Sequence, residues 1–220
     1  MILKHYYHVY VDGKYIDILV SHVEALIHGH LINRLHTLHF GLVGSAENQI
    51  KAQNLLAEIV PRQYTVSHSL NGWEQATQKY LYADAVDSYE PFLALYAHTK
   101  GASDRSPINE VWRKAMTRTC VYQWMKAVAI LESTDAVAAG PLWAPFNNGL
   151  DLGITEGTQY FAGTFWWAKS EAIAAIGPPE TESRFGAEAW IGKVVTELGL
   201  PIRNLLNVKL EIDSLRPFGF

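Results

Sequence analysis

The chain has 220 residues, 49% hydrophobic and 18% charged, with a formal net charge of −4. That composition is ordinary for a soluble globular protein, and a chain of this length buries about 70% of its unfolded surface, enough for a substantial core. The acidic balance weighs against a protein that grips nucleic acid mainly through phosphates, although Lys100, Arg105, Arg113, Lys114 and Arg118 leave room for a local basic groove.

No stretch approaches the roughly eighteen apolar residues that a membrane span requires. Met1-Ile-Leu-Lys-His-Tyr lacks the apolar core of a signal peptide, and a lone Cys120 excludes an internal disulfide. The expectation is a cytoplasmic protein.

In chain order, Tyr6 to Val11 is an aromatic and β-branched run closed by Asp12-Gly13, which predicts a strand and a turn. Ile16, Leu19, Val20, Val23, Leu26 and Ile27 recur at helical spacing as far as Gly29. Leu38 to Val43 predicts a buried strand, with Gly44-Ser45 as the turn and Ser45 as the cap of a helix that stops at Pro61. Tyr64 to Val66 is a short strand, Trp73 to Ala83 a helix, and Phe92 to Ala97 a fourth strand. Pro107 suits the first turn of one long helix reaching Leu131. Ala136 to Ala139 reads as a strand and Gly140 to Gly157 as a functional loop. Phe161 to Trp167 predicts a strand, Ser170 to Ile176 a helix, and Ala187 to Leu198 a last helix after the Pro178-Pro179 break.

This alternation predicts an α/β fold with a central, mostly parallel sheet flanked by helices. Ligands in such folds sit at the carboxyl ends of the strands. Two clusters fall there. In the first, His98-Thr99-Lys100-Gly101, the lysine would neutralise a diphosphate and the glycine would let backbone amides approach. His98 would bind a metal or a phosphate oxygen, and the competing reading is a plain turn with a solvated lysine.

The second cluster, Gly163-Thr164-Phe165-Trp166-Trp167, offers indole faces for a sugar or a base. Strand alternation sends Trp166 and Trp167 to opposite faces, so one of them belongs to the core. Downstream, Glu188 is a candidate general base, with a first-turn acid favoured by the helix dipole as the alternative. Arg184 pairs with Glu188 or with phosphate. Asp84 and Asp87 read as capping or solvated acids, and the early histidines lack the spacing of a zinc site. Cys120 reads as a core thiol.

At these residues the chain resembles a family of bacterial, phage and giant-virus glycosyltransferases. The stretches that carry the likeness are Tyr96 to Gly101, Trp112-Arg113, Ala162 to Ala168 and Arg184 to Ile191, with His8-Val-Tyr10 and Phe40 to Gly44 in support. The chain departs from the family where Ala162 and Thr164 stand in place of Ser and Asn around Gly163.

The resemblance implies a single GT-A-like (Rossmann-like) domain over 1–220, with a nucleotide-binding half at 1–101 and an acceptor and catalytic half at 102–220. It implies a transferase that moves a sugar from a nucleotide-diphosphate donor, such as a UDP-sugar, to a hydroxyl. The acceptor would be a glycan precursor or, as in phage DNA modification, a hydroxymethylated base. Gly44, His98, Thr99, Lys100, Gly101 and Arg184 would hold the donor, with or without Mn2+ or Mg2+ at His98. Gly163, Thr164, Trp166, Trp167, Trp112 and Arg113 would wall the sugar and acceptor site, and Glu188 would be the catalytic base of an inverting displacement. The alternative is a module that binds a nucleotide sugar or saccharide without turnover.

Overall fold

The computed structural model describes residues 1–103, 106–145, 159–180 and 184–206. The elements are β1 (Ile2–Tyr10), α1 (Ile16–His28), β2 (Thr37–Val43), α2 (Ala46–Ile59), β3 (Thr65–Ser69), α3 (Gln75–Asp87) and β4 (Phe92–His98). They continue as α4 (Pro107–Thr117), a π-helical turn (Arg118–Tyr122), α5 (Trp124–Ser133), β5 (Ala138–Gly140), β6 (Trp143–Pro145), β7 (Gln159–Phe161) and β8 (Trp166–Lys169). Last come α6 (Ser170–Ala175), α7 (Arg184–Ala189), a 3-10 turn (Trp190–Gly192), α8 (Lys193–Thr196) and β9 (Ile202–Asn204).

A seven-stranded sheet runs β3-β2-β1-β4-β8-β5-β9, and β6 pairs with β7 in a separate ribbon. β1 to β4 are mutually parallel, while β8 runs antiparallel to both β4 and β5. The expected α/β class, with a mostly parallel sheet between helices, is therefore the observed one.

Strand alternation builds two cores from one sheet. Tyr7, Val9, Leu95 and Trp167 pack with α1, α2, α4 and α5, whereas Tyr6, Tyr96, Trp166 and Trp190 pack with α3 and α6. Among the described residues, no helix is long and apolar enough to cross a membrane.

Three predicted elements differ. The long helix from Pro107 to Leu131 is interrupted by the π turn, where the Gln123 amide bonds the Arg118 carbonyl at 3.0 Å. The wide turn buries Thr119, Cys120 and Val121 together and frees the Cys120 carbonyl to accept the Trp167 indole at 2.9 Å.

The strand predicted from Phe161 to Trp167 is broken by a turn, with Gly163 at φ +86° and Thr164 at φ +56°. β7 and β8 consequently belong to different sheets. The last helix is divided by the 3-10 turn, whose tighter winding buries Trp190, Ile191 and Gly192 in succession. Within the expected loop Gly140 to Gly157, residues 143–145 form β6, and residues 146–157 lie outside the described part.

Candidate active site at the carboxyl ends of the parallel strands

The sheet is built in one direction from β1 to β3 and in the other from β1 to β4, which makes the carboxyl ends of β1 and β4 a topological switch point. The loops leaving these strands are zipped together. The Thr99 amide donates to the His8 carbonyl at 2.9 Å, the Tyr10 amide to the Thr99 hydroxyl at 3.0 Å, and the Lys14 amide to the Ala102 carbonyl at 2.8 Å. Gly13 lies so close to the Ala102 carbonyl that any Cβ there would collide with it.

Beside this seam opens a hollow of about 190 Å³, lined by Asp17, Ile18, Lys100, Gly101, Asn109, Glu110 and Arg113. Gly101 has φ +87°, a conformation that favours glycine and lets the chain turn sharply after β4. The Lys100 ammonium stands 5.5 Å from the centre of the Trp112 ring. Arg113 enters from α4, and its charge opposes the upward push that burial gives the Tyr7 hydroxyl. Of the expected donor and wall residues, Lys100, Gly101 and Arg113 thus meet around one opening, with the Trp112 ring beside the Lys100 ammonium.

His98 and Thr99 turn the other way. Both are buried. His98 Nδ1 lies 3.1 Å from Glu74 Oε1, and Nε2 bonds the Gly163 carbonyl at 3.0 Å. With both ring nitrogens committed, His98 does not fit the expected role of metal or phosphate ligand. Among the described residues, no group of three or more His, Cys, Asp or Glu side chains is arranged to hold a metal ion.

Burial pushes the Glu74 carboxyl up, but the hydrogen bond and charge of His98, helped by His8, override it and hold the group at about 2. His8 Nδ1 shares a 2.9 Å hydrogen bond with Thr77 Oγ1, and the Tyr96 hydroxyl donates to the Glu74 carbonyl at 3.2 Å.

Gly44 holds a structural place. It has φ +138°, and a Cβ would lie 2.8 Å from the Asp12 carboxylate. Asp12 reaches from the end of β1 to accept the Ser45 amide, at 2.9 Å and 3.0 Å from its two oxygens, the Ser45 hydroxyl at 2.6 Å and the Asn48 side-chain amide at 2.9 Å. Those bonds hold its carboxyl below the usual range, led by the one from the Ser45 hydroxyl. Ser45 makes no side-chain cap bond to α2, against expectation; its amide and hydroxyl are instead held by Asp12 in the turn after β1.

The expected wall of tryptophans is corrected. Trp166 and Trp167 lie on opposite faces, as strand alternation requires, but each is 0% exposed. Trp166 stacks on Tyr96 with ring centres 5.2 Å apart, and Trp167 is tied to Cys120. Neither presents a face to a ligand, because β8 is an interior strand covered by helices on both sides. Gly163 and Thr164 are buried too, and a Cβ on Gly163 would collide with Met116.

Glu188 is half-buried in α7, which docks on the first turn of α3 through a 2.9 Å bond from Gln78 to the Ala187 carbonyl. Burial first, and then the Glu188 charge, pushes the Tyr160 hydroxyl up to about 12. Burial, Glu74 and Glu188 likewise raise Tyr96. Glu188 is thus held at the carboxyl end of the sheet, on the α3 side of β4, while the hollow opens on the α1 and α4 side. Arg184 begins α7, and its side chain lies outside the described part.

Sequence reasoning missed Glu74, Asp12 and Thr77. Glu74 in Asn71-Gly-Trp-Glu looks like any acid before a helix, and only the tertiary fold brings it to His98, 3.1 Å away.

The strand order and its one reversed central strand define a single Rossmann-like α/β fold. A solved structure of a 4-diphosphocytidyl-2C-methyl-D-erythritol synthase superposes with a TM-score of 0.50 at 12% identity, covering 99% of this chain and 95% of that one. A second, the 4-diphosphocytidyl-2C-methyl-D-erythritol synthase from Anaerococcus prevotii DSM 20548, gives 0.49 at 7% identity over 98% and 95%. No protein-family profile matches the sequence, and no curated protein matches it.

Proposed function

We propose that the protein is a glycosyltransferase that takes a sugar from a nucleotide-diphosphate donor and passes it to a hydroxyl acceptor. The observation that carries this reading is the hollow at the β1 and β4 switch point, where Lys100 and Arg113 face one space beside the Gly101 turn. Lys100 and Arg113 offer cations to a diphosphate in a lining that also carries Asp17 and Glu110, and a turn without a side chain leaves room for its oxygens. The fold neighbour is named as a synthase of a diphosphocytidyl compound, and its likeness supports nucleotide chemistry.

In the reaction, the acceptor oxygen attacks the anomeric carbon over the carboxyl end of β4, with the hollow on one side and α7 on the other, and gives its proton to the Glu188 carboxylate. The bond from that carbon to the donor diphosphate breaks, and the diphosphate leaves with the electron pair, stabilised by Lys100 and Arg113. Attack opposite the leaving group inverts the anomeric centre. The net charge of −4 favours a glycan precursor over duplex DNA as acceptor. The buried free thiol of Cys120 fits a cytoplasmic setting.

A thermal-shift panel of nucleotide sugars, with and without Mn2+ or Mg2+, tests the reading. A stabilising donor that is also slowly hydrolysed supports it. A donor that binds and is never turned over marks a non-catalytic module, and no shift with any nucleotide or nucleotide sugar removes the proposal.

A further inference from the structure

We propose that Glu74 is a positioning residue that acts through His98, clamping the Ala162–Phe165 turn onto the carboxyl end of β4 and so fixing both walls of the Lys100 hollow. This rests on the donor site proposed above.

The clamp is a continuous chain of contacts. The Glu74 side chain, 6% exposed, meets His98 Nδ1, and the His98 side chain, 9% exposed, meets the Gly163 carbonyl through Nε2. Each ring nitrogen faces an acceptor, so both bonds form together only when both nitrogens carry hydrogen. From Gly163 the contact passes to α4, since a Cβ there would collide with Met116 and lie 4.0 Å from the Trp112 ring. α4 supplies Arg113, and β4 supplies Lys100, whose amide donates to the His98 carbonyl at 2.7 Å.

The pair joins three segments far apart in sequence: the chain before α3, the end of β4, and the turn before β8. A buried ion pair is weak evidence for stability, because well-packed apolar residues of similar volume often do as well or better. Its place, two residues from Lys100 and one contact from α4, suits geometry. The charged and titratable groups facing it are His8 from β1, Tyr96 from β4 and Glu188 from α7, which acts on Tyr96.

Glu74→Gln keeps the shape and removes the charge, and His98→Asn serves as an independent second variant. Each variant lowers kcat about tenfold to a hundredfold while the donor KM moves less than about threefold, as expected when a reacting group is misplaced. The double variant falls no further than the worse single one, because both act through one contact. In Glu74→Gln the 15N signals of the His98 ring shift, Nδ1 most, as its contact with the carboxylate is lost. Unchanged kcat in a folded Glu74→Gln protein overturns the proposal, as do additive losses.

If the wild type turns over no nucleotide sugar, the donor reading fails and the clamp is judged by amide exchange. Faster exchange at Thr164 and Lys100 in Glu74→Gln, with β2 amides unchanged, supports it, and unaltered exchange at both sites overturns it.

Discussion

The Thr99 hydroxyl accepts the Tyr10 amide at 3.0 Å, joining two parallel strands just past the point where their ladder ends. This bond divides the His98-Thr99-Lys100-Gly101 run by function. His98 and Thr99 are spent inside, holding strand ends and the Gly163 turn, which leaves Lys100 and Gly101 to face the opening. The motif is half scaffold and half lining of the hollow.

Lys100→Ala removes a cation from the hollow without touching the core. Donor turnover is expected to fall about a hundredfold or more, by analogy with loss of a group that stabilises a leaving charge. The melting temperature stays within about 2 °C, as for most surface changes. Steady-state kinetics beside a melting curve check both. Full turnover would remove Lys100 from the mechanism.

Glu188→Gln keeps the volume and abolishes the base. Loss of a general base costs about a hundredfold to ten-thousandfold in kcat, with donor affinity preserved. Titration calorimetry with the donor separates the two effects. Equal turnover in both proteins would exclude Glu188 as proton acceptor.

Acid lability follows from buried histidines. Burial holds His5, His8 and His39 down to about 4, with the Leu95 carbonyl opposing it at His5, Glu74 opposing and His98 adding to it at His8, and Asp84 opposing it at His39. Burial likewise holds His22 well below its usual value, aided by His5 and Arg113.

The folded state keeps these rings neutral while the unfolded chain takes up protons near pH 6.5, so folding is favoured fully above that value. Stability falls as pH drops from about 6.5 through about 4, by about 3 kcal/mol for each fully expressed site. Urea midpoints measured between about pH 7.5 and about pH 4.5 check this; a flat profile would contradict the neutral core histidines.

Trp167→Ala tests packing against binding. Removing a fully buried indole is expected to cost about 3–5 kcal/mol, and it leaves the Cys120 carbonyl without its indole donor. A mild loss of stability with a large loss of donor affinity would restore the ligand-wall reading.

Asp12→Ala removes the acceptor that organises the start of α2. The expected loss is about 1 kcal/mol, the size of a helix N-cap, seen as a lower denaturation midpoint. Gly44→Ala should cost more, since its φ of +138° disfavours any side chain and Asp12 occupies the space.

The composition and periodicity of the sequence determined the α/β class, the existence of β1 through β4 and the placement of Lys100 at a strand end. These are local properties: Phe92 to Ala97 is apolar throughout, as a strand covered on both faces must be, and Pro107 cannot sit far inside a helix. Two indoles in succession on a strand also had to part to opposite faces.

Only the tertiary structure decided what each polar residue is for. His98 looked like a ligand because its sequence neighbours are a threonine and a lysine, but its true neighbours are Glu74 and Gly163, 24 residues before it and 65 after it. Trp166 and Trp167 looked like a binding surface, until β8 took an interior place between β4 and β5 and both sides were covered. Hydrogen bonds and burial depend on distance in space, and local periodicity carries no record of which distant segment will close that distance.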